Sequence, residues 1–197
     1  MLLYDSAVSG NCYKVRLLLA MQGIAFERRE VDVVDRSGRR ELLGELNPAL
    51  RVPVLVLDDG RPLAESNAIM VYLARGTVLL PADSYRHAQV LQWLFYEQYS
   101  HEPYIAVARF WRLARIEVPP AEWEAKRDGG EAALRALQTY LERRPFLVDD
   151  RYTIADIALY AYTHVADEGG FSLEPYPAVR AWLERVSAQP GHILMDA

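Results

Sequence analysis

The chain has 197 residues, 51% hydrophobic and 25% charged, the balance of an ordinary globular protein and not of a disordered one. Its 27 acidic residues against 22 basic ones give a formal net charge of -5. That sign argues against a general affinity for nucleic acid or for an anionic membrane, both of which reward a basic surface.

A single cysteine, Cys12, rules out an internal disulfide and suits a reducing compartment. The start Met1-Leu2-Leu3-Tyr4-Asp5 lacks the basic region and long apolar run of a signal peptide. No stretch approaches the roughly 18 apolar residues that span a bilayer. The expectation is a soluble, cytoplasmic protein.

Leu2-Leu3-Tyr4 reads as a strand ending at Asp5, followed by the small, turn-prone stretch Ser6 to Asn11. Cys12 to Gln22 is apolar on nearly all sides, with Lys14 and Arg16 early, which predicts a helix covered on more than one face and capped by Gly23. Phe26 to Val33 alternates with charge and reads as a second strand. Strand, helix and strand at this spacing make a βαβ unit, hence a parallel pair with a right-handed crossover. A charged helical stretch, Gly38 to Leu46, is stopped by Asn47-Pro48. Val52 to Leu57 reads as a strand, Asp58-Asp59-Gly60 as a turn suited to positive φ, and Arg61 to Ala64 as the returning hairpin strand. Glu65 to Arg75 follows as a helix. The order βαβ, α, ββα is that of a thioredoxin-like α/β domain over residues 1–76.

Residues 77–85, containing Pro81 and Asp83, read as a linker. Tyr85 to Arg115 is helical and strongly aromatic, with Pro103 expected to kink or interrupt it. Pro119-Pro120 separates it from Ala121 to Arg144, where Leu134, Leu137 and Leu141 stand at helical spacing. Thr153-Ile154-Ala155-Asp156 has the spacing of a capping box, with Asp in the usual place of Glu or Gln, and opens an apolar helix through about Val165. Pro177 to Ala188 is a last helix, ended by Pro190-Gly191. Residues 86–197 therefore read as an all-helical domain.

Three spots in the N-terminal half bear on chemistry. Pro53 opens a central strand, where it cannot donate to the ladder; with a cis bond, Val52 can present its N–H and C=O to an extended peptide, and with a trans bond the proline merely ends a loop. Glu65-Ser66 starts a helix, whose N–H groups and dipole favour a carboxylate; a plain serine cap with a first-turn glutamate is the alternative. Ser9-Gly10-Asn11 enters the first helix, where a hydroxyl and an amide can donate to a thiolate or simply cap. Cys12 is a rival thiol in the same turn, or a small buried hydrophobe.

Taken together, these spots resemble the cytosolic glutathione transferases, closest to the bacterial and theta- or phi-like members that use serine. The resemblance lies in Ser9 with Lys14-Val15, in Asn47-Pro48 and Val52-Pro53, in Glu65-Ser66 with Ile69 and Tyr72, and in Thr153 to Asp156 with Ile157 to Tyr162 behind it; it covers essentially the whole chain. It implies the glutathione-transferase fold and a detoxifying enzyme that binds glutathione as a cofactor-like substrate, without a metal. Ser9 would stabilise the thiolate, with Asn11 a second polar group near the sulfur. Val52, ahead of Pro53, would pair with the cysteinyl backbone, and Glu65 with Ser66 would hold the γ-glutamyl end. Arg39, with Arg51 as neighbour, stands near the position of the basic residue for the glycine carboxylate. Gly38 occupies the place where many serine-type relatives have histidine.

His101, Tyr104, Ala108 and Trp111 fall on one helical face, which by resemblance lines the pocket for a small hydrophobic electrophile; an aromatic stripe is also what a core helix shows. Tyr162, His164 and Phe171 are further candidates for its border. The partners implied are glutathione, the electrophile and a second copy in a homodimer, with neither nucleic acid nor membrane. A glutathione-dependent disulfide reductase, peroxidase or isomerase on the same scaffold, and a non-catalytic binding protein that keeps the fold, remain alternatives.

Overall fold

The computed structural model describes residues 1–197. It divides into two units, Met1–Arg75 with Pro190–Ala197, and Gly76–Gln189. No helix is long and apolar enough to cross a membrane.

The first unit is thioredoxin-like. Its strands β1 (Leu2–Asp5), β2 (Glu27–Glu30), β3 (Val54–Val56) and β4 (Pro62–Ala64) form one sheet in the order β2-β1-β3-β4. β1 and β2 are parallel, as a βαβ crossover demands, and β3 is antiparallel to both β1 and β4. β2 is shorter than its alternating pattern because the ladder stops where β1 stops, at Asp5↔Glu30. Side chains alternate across the pleat. Tyr4 and Val54 therefore meet Val31 and the Leu43 side chain of α2 (Arg39–Leu43) in one buried cluster. Helix α1 (Gly10–Met21) packs on α3 (Ser66–Ala74). Gly23, at φ 65°, ends α1 as its composition predicts.

Segment 190–197, read from sequence as the tail of the helical half, groups with this first unit. The Tyr13 hydroxyl donates to Ile193 O at 2.7 Å, Arg16 Nη2 to Met195 O at 2.5 Å and Arg28 Nη1 to Ala197 O at 3.0 Å. Gly191 permits the approach: at φ 76°, a Cβ there would lie 2.9 Å from Met21 Cα.

The second unit is all-helical: α4 (Ser84–Tyr96), α5 (Glu102–Leu113), α6 (Pro120–Leu141), α7 (Ile154–Thr163) and α8 (Pro177–Ser187), with a short 3₁₀ turn at Ala166–Gly169. The interruption expected at Pro103 lies earlier, in a π-helical turn at Glu97–His101. Pro103 sits in the first turn of α5, where its missing N–H leaves no intrahelical bond unmade. The capping box forms: Thr153 Oγ1 accepts from Ala155 N at 3.3 Å and Asp156 Oδ2 accepts from Thr153 N at 2.9 Å. Asp156 Oδ1 further accepts from Leu147 N at 3.1 Å and from the indole of Trp182 at 2.9 Å.

Candidate functional site

Ser9 is the N-cap of α1. Its Oγ accepts from Cys12 N at 3.3 Å, which satisfies one donor of the first turn and leaves the hydroxyl hydrogen for another acceptor. The loop ahead of it is held from below by Arg16. That guanidinium is 1% exposed, pairs with Asp5 at 2.6 Å, and donates to the carbonyls of Ser6 at 3.2 Å and Ala7 at 3.3 Å. Asp5 is buried and also pairs with Arg28 at 2.7 Å. A buried charged pair thus fixes the turn that delivers Ser9.

Cys12 is fully buried, and burial, reinforced by the negative charge of Asp5, pushes its thiol well above the ordinary thiol range. The rival thiol is a core side chain.

Asn11 and Ser66 lie 55 residues apart in sequence and meet. Ser66 Oγ donates to Asn11 Oδ1 at 3.2 Å. Lys14, one turn beyond Asn11, points its ammonium into the same spot: Nζ is 2.8 Å from Asn11 Oδ1 and 3.4 Å from Ser66 Oγ. Lys14 is fully buried and Ser66 is 4% exposed. From sequence, Lys14 belongs to the helix pattern and to the family resemblance, with no role assigned to its ammonium. The signal that marks it is a lysine inside a helix that, apart from Asn11 and Arg16, is almost wholly apolar, since lysine is almost never fully buried without polar partners. Glu65, the N-cap of α3, is exposed and holds φ 66° and ψ 113°, a backbone conformation that costs a non-glycine residue about 1–3 kcal/mol. Strain of that kind persists where surrounding structure imposes it, often at ligand clamps.

Val52 and Pro53 are joined by a cis peptide bond. β3 begins at Val54, opposite Tyr4, so Val52 stands just ahead of the ladder. Arg39 turns its fork onto the carbonyls of Asp32 (3.2 and 3.3 Å) and Leu50 (3.4 Å). Arg51 is exposed, and its carbonyl accepts from Asn47 Nδ2 at 2.9 Å. Of the two arginines, Arg39 serves the backbone around the site and Arg51 faces solvent. Gly38 takes φ 70° at the start of α2, so a histidine there would adopt a left-handed conformation although space for its Cβ exists.

In the helical unit, the expected stripe breaks. His101 is fully buried and its Nε2 lies 2.9 Å from Thr163 Oγ1; Ala108 is fully buried as well. Neither has surface to offer a co-substrate. The reason is local: His101 ends the π turn, whose wider winding moves it out of register with the α-helical residues that follow. Tyr104 and Trp111 are half-buried and share a cation, Lys126 Nζ, at 5.5 and 5.8 Å from their ring centres, while Trp111 meets Trp123 edge-on at 5.6 Å. Trp123 and Lys126, on α6, were not singled out in sequence. Phe171 is core, 3% exposed, and lies over Gly130; Tyr162 is 6% exposed, and His164 stacks on Tyr160 at 4.6 Å. No group of three or more His, Cys, Asp or Glu side chains is placed to hold a metal ion.

Residues 8–75 match the model of the glutathione S-transferase N-terminal domain, and residues 88–190 that of the C-terminal domain. The chain belongs to the glutathione S-transferase family. A crystal structure of glutathione S-transferase from Pseudomonas fluorescens Pf-5 shares 47% identity, covers 98% of both chains and superposes with a TM-score of 0.93. The disulfide-bond oxidoreductase YfcG of Escherichia coli K12 is 29% identical over 97% of this chain and 93% of its own length. Ure2p in complex with glutathione is 25% identical, covers 96% of this chain and 95% of its own, and has a TM-score of 0.87. Within this family member, the structure brings Asn11, Lys14 and Ser66 into one hydrogen-bonded group and sets Ser9 in the same helical turn as Asn11.

Proposed function

We propose that this glutathione S-transferase family member binds glutathione on its first unit and conjugates the glutathione thiolate to a small hydrophobic electrophile. The observation that carries this reading is the first turn of α1. There, a serine hydroxyl and an asparagine amide sit at a helix N-terminus, where a thiolate is stabilised, while the only protein thiol is buried out of use. In this reading Ser9 and Asn11 donate to the sulfur, Val52 ahead of Pro53 pairs with the cysteinyl backbone, and Ser66 and Glu65 take the γ-glutamyl carboxylate and ammonium. Arg51 serves the glycine carboxylate, with Arg39 holding the adjoining backbone. The thiol proton leaves to solvent, the thiolate attacks the electrophilic carbon, and the leaving group departs with the bonding pair. On the second unit, the half-buried rings of Tyr104 and Trp111 are the apolar surface proposed to bind an electrophile. Family membership and the glutathione complex of a relative support the choice of thiol.

A second reading, reduction of disulfides, is favoured by the name of the Escherichia coli relative together with Asn11 beside Ser9. With Cys12 buried, both electrons would come from two glutathione molecules, leaving one glutathione disulfide and a reduced dithiol. Calorimetric titration with glutathione, followed by assays with an aryl halide and with a dithiol-forming disulfide, separates the two. An absence of glutathione binding at millimolar concentration sinks both.

The protein is further proposed to work as a homodimer in the cytoplasm. Exposed Tyr72, Phe95 and Tyr99, at 48%, 70% and 84%, support a second copy as partner, and a lone reduced thiol supports the compartment. A monomeric mass by light scattering overturns the dimer.

A further inference from the structure

Lys14 contacts both ends of the proposed glutathione seat, Asn11 and Ser66. Its ammonium has three donor hydrogens and no acceptor, so the Asn11 atom that faces it at 2.8 Å is the amide oxygen. The Ser66 hydroxyl donates to that same oxygen. With its oxygen claimed by two donors, the Asn11 amide presents its N–H bonds on the opposite edge. A flipped amide would aim a carbonyl oxygen at a thiolate and repel it. The lysine therefore decides which pole of the Asn11 dipole the sulfur meets.

The third side of the triangle, Lys14 Nζ to Ser66 Oγ at 3.4 Å, extends this to the other end of the ligand. When the Ser66 hydroxyl turns to donate to a carboxylate, it releases Asn11 Oδ1, and Lys14 remains to hold that oxygen. The same ammonium then stands beside the seated carboxylate. Lys14 and Ser66 are buried and Asn11 is half-buried, so on the Lys14–Ser66 side water does not substitute for these bonds.

We infer that Lys14 is a positioning residue that fixes the donor face of Asn11 and, through Ser66, couples seating of the γ-glutamyl carboxylate to ionisation of the bound thiol. This rests on the proposed glutathione reading. It acts through Asn11, not by touching the sulfur.

The test uses the full chain as wild type, Lys14→Met, Lys14→Arg, Asn11→Ala and the double variant Lys14→Met/Asn11→Ala. Thiolate absorbance in the ultraviolet, followed against pH with glutathione bound, reads the pKa of the bound thiol; affinity for S-methylglutathione reads seating without a thiol. Lys14→Met is expected to raise the bound thiol's pKa by about one pH unit, a tenfold loss of thiolate near neutrality. Lys14→Arg, which keeps a donor-only cation, is expected to restore most of it. In the Asn11→Ala background, Lys14→Met is expected to add no further rise. An equal rise in both backgrounds, or none in either, overturns the inference while leaving glutathione binding intact. A wild type that binds neither glutathione nor S-methylglutathione overturns the functional reading itself. Should Lys14→Met fail to fold, as judged by circular dichroism, Lys14→Gln is read in its place by the same criteria.

Discussion

The indole Nε1 of Trp182 donates to Asp156 Oδ1 at 2.9 Å, joining α8 to the capping box of α7 with both side chains fully buried. Burial raises the Asp156 carboxyl from 3.8 to about 6, against the hydrogen bonds from Trp182, Thr153 and Leu147, which lower it. Between those two values the folded protein keeps a proton that the unfolded chain has released, so the carboxyl's share of stability falls as pH rises through that window. The full loss is about 3 kcal/mol. Denaturant unfolding of wild type and Asp156→Asn at pH 4 and pH 7 checks this. The stability advantage of wild type should be larger at pH 4, and an advantage that does not change with pH contradicts the assignment.

Ser9→Ala should cost the transferase reaction 10- to 100-fold, because a hydrogen bond to a charged group is worth about 1.5–3 kcal/mol. The lost cap should lower stability by about 1 kcal/mol besides. Rates with an aryl halide across pH give the first figure and unfolding curves the second. A variant that keeps full rate, while Asn11→Ala abolishes it, transfers the main donor role to Asn11.

Cys12 should not react with a soluble aromatic disulfide in the folded protein, and should react in denaturant. Cys12→Ala should retain turnover. Rapid labelling of native protein would place the thiol at the surface and return it to contention.

Gly130→Ala should destabilise the helical unit by about 1–3 kcal/mol, although alanine is the better helix former. A Cβ there falls 2.2 Å from Phe171 Cε1, and that ring is 3% exposed with nowhere to go. Gly129→Ala meets the half-buried Tyr104 ring at the same 2.2 Å, so, if Tyr104 binds the electrophile as proposed, its effect should show in electrophile KM as well as in the unfolding midpoint. Thermal melts paired with steady-state kinetics distinguish the two.

Asp5→Ala should cost about 3–5 kcal/mol, since Arg16 would remain buried without its carboxylate. Arg28→Ala should cost far less, because that arginine is 36% exposed and Asp5 keeps Arg16. Equal losses in the two variants, measured by denaturant unfolding, contradict this ranking.

The strand and helix order of the first unit was legible because each element has a local signature: an apolar run, a proline stop or a glycine at positive φ. Ser9, Val52-Pro53 and Glu65-Ser66 stand out in the sequence as a set through their register along the chain, and the glutathione roles given to them are the proposal above. The contact of Lys14 with Ser66 was not legible, because it spans 52 positions and no local pattern records it. His101 was misplaced because a π turn has no periodic signature, and one extra residue in the winding rotates every face downstream of it. Segment 190–197 carries no regular period, and its attachment is written in Tyr13 and Arg16, far away in sequence.

That attachment has a consequence for how the molecule is made. Tyr13 and Arg16 leave the ribosome early, yet the carbonyls they serve belong to Ile193 and Met195. A nascent chain carrying the complete sheet still lacks these closing bonds until the helical unit has emerged in full. For this fold the first unit begun is the last one finished.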